Sequence, residues 1–535
     1  MCYIRKMKTP TSATSLDRQI AICILLFVSV FLNTAMAQNK DSTIVQQIIK
    51  EANENSQLEK LGHELLDVIG PRLTGTPQMK QANDWAVSAY KSWGINARNE
   101  QWGQWRGWER GVSHIDLVYP RVRSLEGTQL AWSPGTGGRS IVAETVIIPD
   151  LKDSIAFRQW LPMVRGKFVL ISMAQPTGRP DENLEQFGLK ETVSKIKKER
   201  SDQTAAWAAR IGKAGLSARG ALARAVENAG AAGIVQSNWS QGWGVNKIFG
   251  ATTKKIPTVD LSLEDYGLLY RLTEAGKKPK ISVRADSREL GLVPTFNTIA
   301  EIRGTEKPNE YVILSAHFDS WDGASGATDN GTGTLTMMEA LRILKKIYPN
   351  PKRTILAGHW SSEEQGLNGS RAFVDDHPEI VQNIQAVFNQ DNGTGRVVGL
   401  SGQGFQHSGE FIPRWLSAAP DSVKARIQTT FPGTPGSGGS DFASFVAAGA
   451  PAFSLSSLSW SYGNYTWHTN RDTYDKIIWD DVKNNVILTA ILAYMASEDP
   501  QTTSREKAEL PVNSQTGERA KWPTPRKATR KGGVD

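Results

Sequence analysis

Residues 311–331 read YVILSAHFDSWDGASGATDNG, and this stretch decides the fold. Its first six residues, Tyr311–Ala316, are mostly apolar and predict a buried strand that ends where polar residues begin. The predicted elements that follow alternate between helix and strand: Thr334–Leu344, Thr354–Gly358, Ser370–Asp375 and Gln385–Phe388. This alternation predicts an α/β fold in which helices sandwich a mainly parallel, mixed sheet.

Most residues capable of metal chemistry come after these predicted strands. His317, Asp319 and Asp329 follow the first strand, Glu363 and Glu364 the second and Asp391 the third, while His468 and Asp472 come much later in the chain. Taken alone, each motif also fits an ordinary surface pair, helix start or turn, but three successive strands end in such residues. Ligands of such sheets bind at the carboxyl ends of the strands, so we expect the side chains to converge there. Converging carboxylates need cations to offset their repulsion, and imidazole and carboxylate donors suit zinc, with manganese or cobalt left open.

With these residues the chain resembles metallopeptidase family 28, which contains co-catalytic zinc aminopeptidases and glutamate carboxypeptidases. The resemblance covers roughly residues 55–495. FNTIAEIRG from Phe296 and GPRL at Gly70–Leu73 are most similar to the carboxypeptidase Q branch. The resemblance implies a zinc-exopeptidase (phosphorylase/hydrolase-like) fold that holds two Zn²⁺ per chain. It implies these metal ligands: His317 and Asp391 at one ion, Glu364 and His468 at the other, and Asp329 bridging both.

The same resemblance implies roles around the metals. Glu363 would be the general base that takes a proton from a metal-activated water, without binding metal itself. Asp319 would orient His317, and Asp472 is expected to do the same near His468. Since the family tends to have a cis peptide after the bridging aspartate, we expect one at Asp329–Asn330, although many relatives carry a second aspartate where this chain has asparagine.

The motifs say less about which residues contact the substrate than about which residues bind metal. Ser440 and Asp441 are candidate pocket residues, but Phe442 stands where many relatives have histidine, and a plain glycine-rich turn fits equally well. Arg371 and Arg471 lie close enough in sequence to the site to receive a substrate carboxylate.

The chain divides into five predicted segments. Residues 1–37 have a basic start, an apolar run and an A-x-A end, which predicts a cleaved signal peptide. The N-terminal part of the catalytic domain (41–132) is followed by a smaller α+β or β insert (133–290) that resembles a protease-associated domain. The remaining segments are the di-zinc catalytic domain (291–500) and a basic tail (501–535) expected to be disordered.

Cysteine content and charge exclude several classes of function. Both cysteines, Cys2 and Cys23, lie in the predicted leader, so the mature chain has neither disulfides nor thiolate metal sites. The leader carries four basic residues and one acidic residue, and the tail carries eight and four. The body between them is therefore near neutral despite the net charge of +8, which argues against nucleic-acid binding.

The sequence therefore predicts a secreted or periplasmic zinc exopeptidase acting on dipeptides or short peptides. An aminopeptidase or dipeptidase is the first interpretation, and a carboxypeptidase of the same family is the alternative. A non-catalytic scaffold or a one-metal glutaminyl cyclase is less consistent with the complete ligand set. Small peptides are the expected partners, no membrane span is expected after cleavage of the leader, and a homodimer is left open.

Overall fold

The computed structural model describes residues 41–512 and 514–533. The predicted signal peptide lies outside these described residues. Among them, no helix combines the length and apolarity needed to cross a bilayer.

The described residues form one large mixed sheet of 15 strands and a separate two-stranded ribbon. The strands are β1 (Asn96–Tyr119), β2 (Arg123–Ser124), β3 (Gly127–Gln129), β4 (Ile141–Ile147), β5 (Phe168–Leu170), β6 (Gly233–Gln236), β7 (Trp239–Gly242), β8 (Val245–Asn246), β9 (Thr258–Leu261), β10 (Lys280–Ile302), β11 (Lys307–His317), β12 (Arg353–Trp360), β13 (Ile384–Asn389), β14 (Val397–Ser401), β15 (Gln428–Thr430), β16 (Ala452–Ser457) and β17 (Lys531–Gly532).

The catalytic half of the sheet confirms the predicted α/β fold. Its strand order is β15-β14-β16-β13-β11-β12-β10. β11 pairs in parallel with β12 and with β13, and β13 pairs in parallel with β16, while β10 and β14 are antiparallel to their neighbours β12 and β16. The three strands predicted to carry the chemistry are thus neighbours whose carboxyl ends share one edge.

Helices cover the sheet. They are α1 (41–54), α2 (Leu58–His63), α3 (Pro77–Ser92), α4 (Ser154–Trp160), α5 (Asp181–Phe187), α6 (Lys190–Lys213), α7 (Ala221–Asn228), α8 (Leu263–Glu274), α9 (Thr332–Ile347), α10 (Asn368–Asp376), α11 (Pro378–Gln382), α12 (Ser408–Ser417), α13 (Asp421–Lys424), α14 (Phe442–Ala447), α15 (Tyr462–Tyr465) and α16 (Trp479–Glu498). α16 is apolar on nearly all sides because it packs against both α9 and the sheet, where Leu488 and Leu492 are fully buried.

A smaller unit extends from the same sheet through the long antiparallel pair β1 and β10. Its strands β4, β5, β6 and β9 are parallel, and separate apolar clusters lie within this unit. One cluster includes Ile115, Leu117 and Leu125, so this unit includes residues before the predicted boundary at 133. The boundary is displaced because β1 runs without interruption from the catalytic half into the smaller unit.

The C-terminal segment differs from its prediction as a disordered tail. Trp522 packs against Phe405 with ring centroids 5.6 Å apart, and Lys531–Gly532 form β17 alongside β1. The backbone N–H of Gln104 also donates to the carbonyl of Arg530 at 2.8 Å. The prediction was wrong because it used composition alone, and the segment has few apolar residues. Composition does not show that the rest of the chain provides a surface on which the one tryptophan of the segment packs, or hydrogen-bonding partners for its backbone.

Candidate metal centre

The edge formed by β11, β12 and β13 carries the side chains that the sequence singled out. His317 is the last residue of β11, Glu363 and Glu364 follow β12, and Asp391 follows β13. Each strand is buried along most of its length, so the chain leaves the sheet only where polar residues begin. The motifs therefore meet because parallel strands end together.

Two sets of potential ligands share Asp329. In the first, His317 Nε2 lies 3.0 Å from Asp391 Oδ1 and 3.4 Å from Asp329 Oδ1. In the second, His468 Nε2 lies 2.8 Å from Glu364 Oε2 and 3.3 Å from Asp329 Oδ2. Within each set, all ligand atoms lie within 4.8 Å of one another. Asp329 therefore occupies the position of a bridging carboxylate.

The residues present fit a pair of divalent cations. Asp329 Oδ2 and Glu364 Oε1 are buried and have no hydrogen-bonding partner within the described part of the chain. Buried carboxylate oxygens without partners are costly unless a cation coordinates them. The donors are imidazole nitrogens and carboxylate oxygens, which zinc accepts readily.

Glu363 lies in the wall of the same cavity but belongs to neither ligand set. Burial and the nearby Asp391 carboxylate raise the pKa of Glu363 well above its usual value, while His317 opposes the shift. A carboxylate beside the metal ligands without being one of them is available for proton transfer.

Asp319 connects His317 to the Glu363–Glu364 loop. Its backbone carbonyl accepts from His317 Nδ1 at 2.9 Å, while its carboxylate lies 3.8 Å from that nitrogen. The carboxylate accepts instead from the backbone N–H groups of Glu363 at 3.1 Å and Glu364 at 3.3 Å. Asp319 thus fixes both the imidazole and the following loop, but it holds the imidazole through its main chain.

Asp472 does not contact His468 in the way expected. Its carboxylate accepts from the backbone N–H groups of Thr328 at 2.8 Å and Asp329 at 3.0 Å, whereas His468 Nδ1 has no partner among the described residues. The expectation was wrong because nearness in sequence does not fix the direction of a side chain. Asp472 positions the bridging aspartate instead. The adjoining Asp329–Asn330 peptide bond is cis, as expected.

Arg72, within the GPRL stretch, is a structural residue whose role the sequence did not reveal. It is fully buried and donates to the carbonyls of Gly70, Phe318, Ser325 and Gly326 at 2.7–3.0 Å. Three of these carbonyls, those of Phe318, Ser325 and Gly326, belong to the segment between His317 and Asp329. Burial lowers the pKa of Arg72 to about 10, and Asp472, Asp319 and Asp329 oppose this shift.

The smaller unit contacts His468 directly. Ile248, just after β8, donates its backbone N–H to the His468 carbonyl at 2.6 Å. Phe249 meets the imidazole edge-on at a centroid distance of 5.2 Å, and Trp467 stacks on it at 3.9 Å. His468 has a φ of 56°, a left-handed conformation that is uncommon for residues other than glycine. These contacts therefore hold a candidate metal ligand in an otherwise unfavourable backbone conformation.

The cavity over the ligands measures about 490 Å³ and includes only one of the four predicted pocket residues. Arg371 lines it. Ser440 accepts from Asn389 Nδ2 at 2.9 Å beneath the site, and Asp441 is completely buried, with a pKa raised to about 7 by burial. Arg471 points away, since it pairs with Glu126 and donates to the Gly244 carbonyl.

Two other side chains complete the description. Tyr462 was not predicted, but it lines the cavity. Burial raises the pKa of Asp329, but His317, His468 and, to a smaller extent, Tyr462 together lower it below its usual value. The only sequence signal of Tyr462 is its position six residues before His468. His359 is buried outside both ligand sets and contacts the hydroxyl of Tyr90 at 2.7 Å, and burial lowers its pKa to about 3.

Together with the paired ligand sets, the comparisons that follow support a metallo-exopeptidase. The model of Peptidase family M28 matches residues 297–493, the part of the chain that carries both ligand sets. Carboxypeptidase Q from Mus musculus is 26% identical over 447 residues, which cover 83% of this chain and 86% of the relative. Carboxypeptidase Q from Homo sapiens has the same identity over the same lengths.

Two solved structures share the fold. A peptidase M28 precursor from Shewanella amazonensis SB2B superposes with a TM-score of 0.63 at 23% identity, covering 87% of this chain and 98% of its own. A zinc aminopeptidase from Bacillus subtilis has a TM-score of 0.53 at 18% identity, covering 84% of this chain and 97% of its own.

Proposed function

We propose that the protein is a zinc-dependent exopeptidase that hydrolyses dipeptides and short peptides with two Zn²⁺ per chain. The observation that carries this proposal is the pair of ligand sets that share Asp329, in a cavity also lined by Glu363. The zinc aminopeptidase among the solved relatives supports the choice of metal.

The chain's own residues divide the chemistry between them. Two bound zinc ions would supply Lewis acidity and lower the pKa of water. Glu363 removes the proton of the attacking water and transfers it to the leaving amine. Tyr462 lines the same cavity, and its hydroxyl can donate to the oxyanion as it develops.

An aminopeptidase or dipeptidase is the form that we propose, and a carboxypeptidase is the second candidate. The second candidate is favoured by Arg371, a cation in the cavity wall, and by the name of the carboxypeptidase Q relatives. We also propose that the protein is secreted or periplasmic, because residues 1–37 have the pattern of a signal peptide.

The test is to supply the mature protein with zinc and measure hydrolysis of free, N-blocked and C-amidated dipeptides. The Glu363→Gln variant should retain its zinc and lose nearly all turnover, because an amide cannot accept the proton. Glu191→Gln, at an exposed position in α6, is the matched control and should keep full activity. Full activity of Glu363→Gln would contradict the assignment of the base, and absence of hydrolysis by the wild type would contradict the function.

A further inference from the structure

A second cavity lies in the smaller unit, outside the carboxyl ends of three of its strands. β5, β6 and β9 are neighbours that pair in parallel, so their carboxyl ends share one edge. Met173 follows β5, Ser237 follows β6 and Leu263 follows β9, and all three line this cavity of about 350 Å³. Among the described residues, none lines both this cavity and the one over the metal ligands. Because open α/β sheets bind ligands outside the carboxyl ends of their strands, the position indicates a separate binding site.

Contacts within the smaller unit hold the walls of this second cavity in place. Arg200, buried in α6, donates to the carbonyls of Thr177 at 3.2 Å and of Arg179 at 2.5 Å, and both of these residues line the cavity. The indole of Trp239 and the hydroxyl of Tyr266, also in the lining, each donate to a backbone carbonyl, at 2.7 Å and 2.6 Å. A ligand would therefore meet a cavity that is already formed, as is usual for sites that bind small molecules.

Two side chains of opposite charge line the second cavity from α8. Glu264 and Arg271 are exposed, and in 41–512 and 514–533 neither side chain forms an ion pair or a hydrogen bond. A guanidinium nitrogen of Arg271 lies 3.0 Å from the point where a Cβ on Gly267 would lie. Residues three apart are neighbours on a helix, about 5–6 Å from each other, so the guanidinium over Gly267 lies about one turn from Glu264. A cation and an anion thus lie close together, each without a partner.

The other charged groups near the second cavity are already engaged. Arg179, the third charged residue of the lining, lies over the Trp243 ring at 5.1 Å and donates to Asn183 Oδ1 at 3.2 Å. Acidic residues close in sequence to the lining have partners: Asp181 pairs with Arg200, Glu182 accepts from Tyr465, Asp260 accepts from Asn246 and Asp265 pairs with Arg123. The charges left for a ligand are therefore those of Glu264 and Arg271.

This pair of charges matches a free α-amino acid. The ammonium and the carboxylate of an amino acid are attached to the same carbon, so both can contact groups about one helical turn apart. A guanidinium suits the carboxylate because its N–H groups match the geometry of the carboxylate oxygens, and the carboxylate of Glu264 can accept from the ammonium. A dipeptide separates its terminal charges by about 7 Å, and a ligand with a single charge would leave one of the two side chains without a partner. Trp239 and Tyr266 supply aromatic surface for the side chain of the ligand.

We propose that the second cavity is a binding site for a free amino acid, in which Glu264 accepts from the ammonium and Arg271 donates to the carboxylate. The proposal goes beyond the proposed function, because this cavity lies outside the metal centre and its binding chemistry needs no metal. Free amino acids are also products of the exopeptidase proposed above. The smaller unit would then bind a product of the catalytic half.

The test is calorimetric titration of the zinc-loaded mature protein with L-phenylalanine, N-acetyl-L-phenylalanine and L-phenylalanine amide. The wild type should bind phenylalanine, and each blocked derivative about tenfold more weakly, which is the scale of one charged hydrogen bond. Glu264→Gln should bind phenylalanine about tenfold more weakly and no longer distinguish it from the N-acetyl derivative. Arg271→Gln should lose the distinction from the amide in the same way. Glu274→Gln, at the end of the same helix and outside the cavity, is the matched control and should bind as the wild type does.

The outcomes separate this site from the metal centre. Loss of the matching distinction in each variant supports the proposal. Absence of binding by the wild type overturns it, and so does binding that neither Glu264→Gln nor Arg271→Gln weakens, because the ligand would then lie elsewhere, for example at the metals. Binding that follows the predicted pattern in a protein that cleaves no dipeptide would overturn the proposed function and leave this site intact.

Discussion

At the scale of single residues, the sequence predicted the candidate metal ligands but not the residues that hold those ligands in position. His317, Glu364 and Asp391 could be found because each follows an apolar strand directly, and parallel strands end at one edge. Arg471 was wrongly assigned to the pocket because the direction of its side chain depends on Glu126, more than 300 residues earlier in the chain. The direction of such side chains depends on tertiary contacts that the local sequence does not encode.

Arg72 offers a direct test at this scale. Arg72→Lys replaces five N–H donors by three on a narrower group, so buried carbonyls around the metal loops would lose their partners. We expect a loss of about 1–3 kcal/mol in the free energy of unfolding, the scale of leaving a buried acceptor without its hydrogen-bond donor. Urea denaturation would measure this loss.

Arg98→Lys is the matched control, since Arg98 is exposed and pairs only with Glu100. Its free energy of unfolding should remain within about 0.5 kcal/mol of the wild type. Equal stability of the two variants would show that the four carbonyl contacts of Arg72 contribute little.

At the scale of elements, the alternating strands and helices of the catalytic half were predictable, and the junction with the smaller unit was not. Apolar runs such as Ile384–Asn389 are buried along their entire length, which gives a clear sequence signal. The long pair of β1 and β10 mixes buried and exposed positions irregularly and contains register shifts, so it lacks a regular period of two. This ribbon carries the smaller unit to the metal centre, where the segment after β8 meets His468.

The role of that segment predicts an effect on metal affinity. Phe249→Ala removes the ring that packs edge-on against His468, so the imidazole would be less well oriented. We expect the affinity for one of two zinc ions to fall by about 10–100-fold, as for other residues that orient a ligand. Zinc titration with a competing chelator would measure both constants.

The control is Trp243→Ala, which removes an exposed aromatic residue between β7 and β8. Both zinc constants of this variant should match the wild type. If Phe249→Ala also leaves both constants unchanged, the smaller unit does not position the ligand.

At the scale of the whole molecule, the C-terminal segment connects the sheet to the catalytic cavity. This segment packs on Phe405, pairs with β1 and contributes Arg526 to the cavity lining. Truncation after residue 512 should therefore lower the melting temperature, because these contacts are lost. Calorimetry would measure this effect. An unchanged melting temperature would mean that the segment packs on the enzyme without stabilising it.

The central claim is that two cations share Asp329 between His317 and Asp391 on one side and Glu364 and His468 on the other. Elemental analysis of the zinc-loaded, dialysed protein tests it most directly. We predict two zinc ions per chain in the wild type, about one in His468→Ala, and two in His114→Ala, whose histidine lies on β1 outside both ligand sets. A wild-type content of one or none, or two ions retained in His468→Ala, would contradict the account.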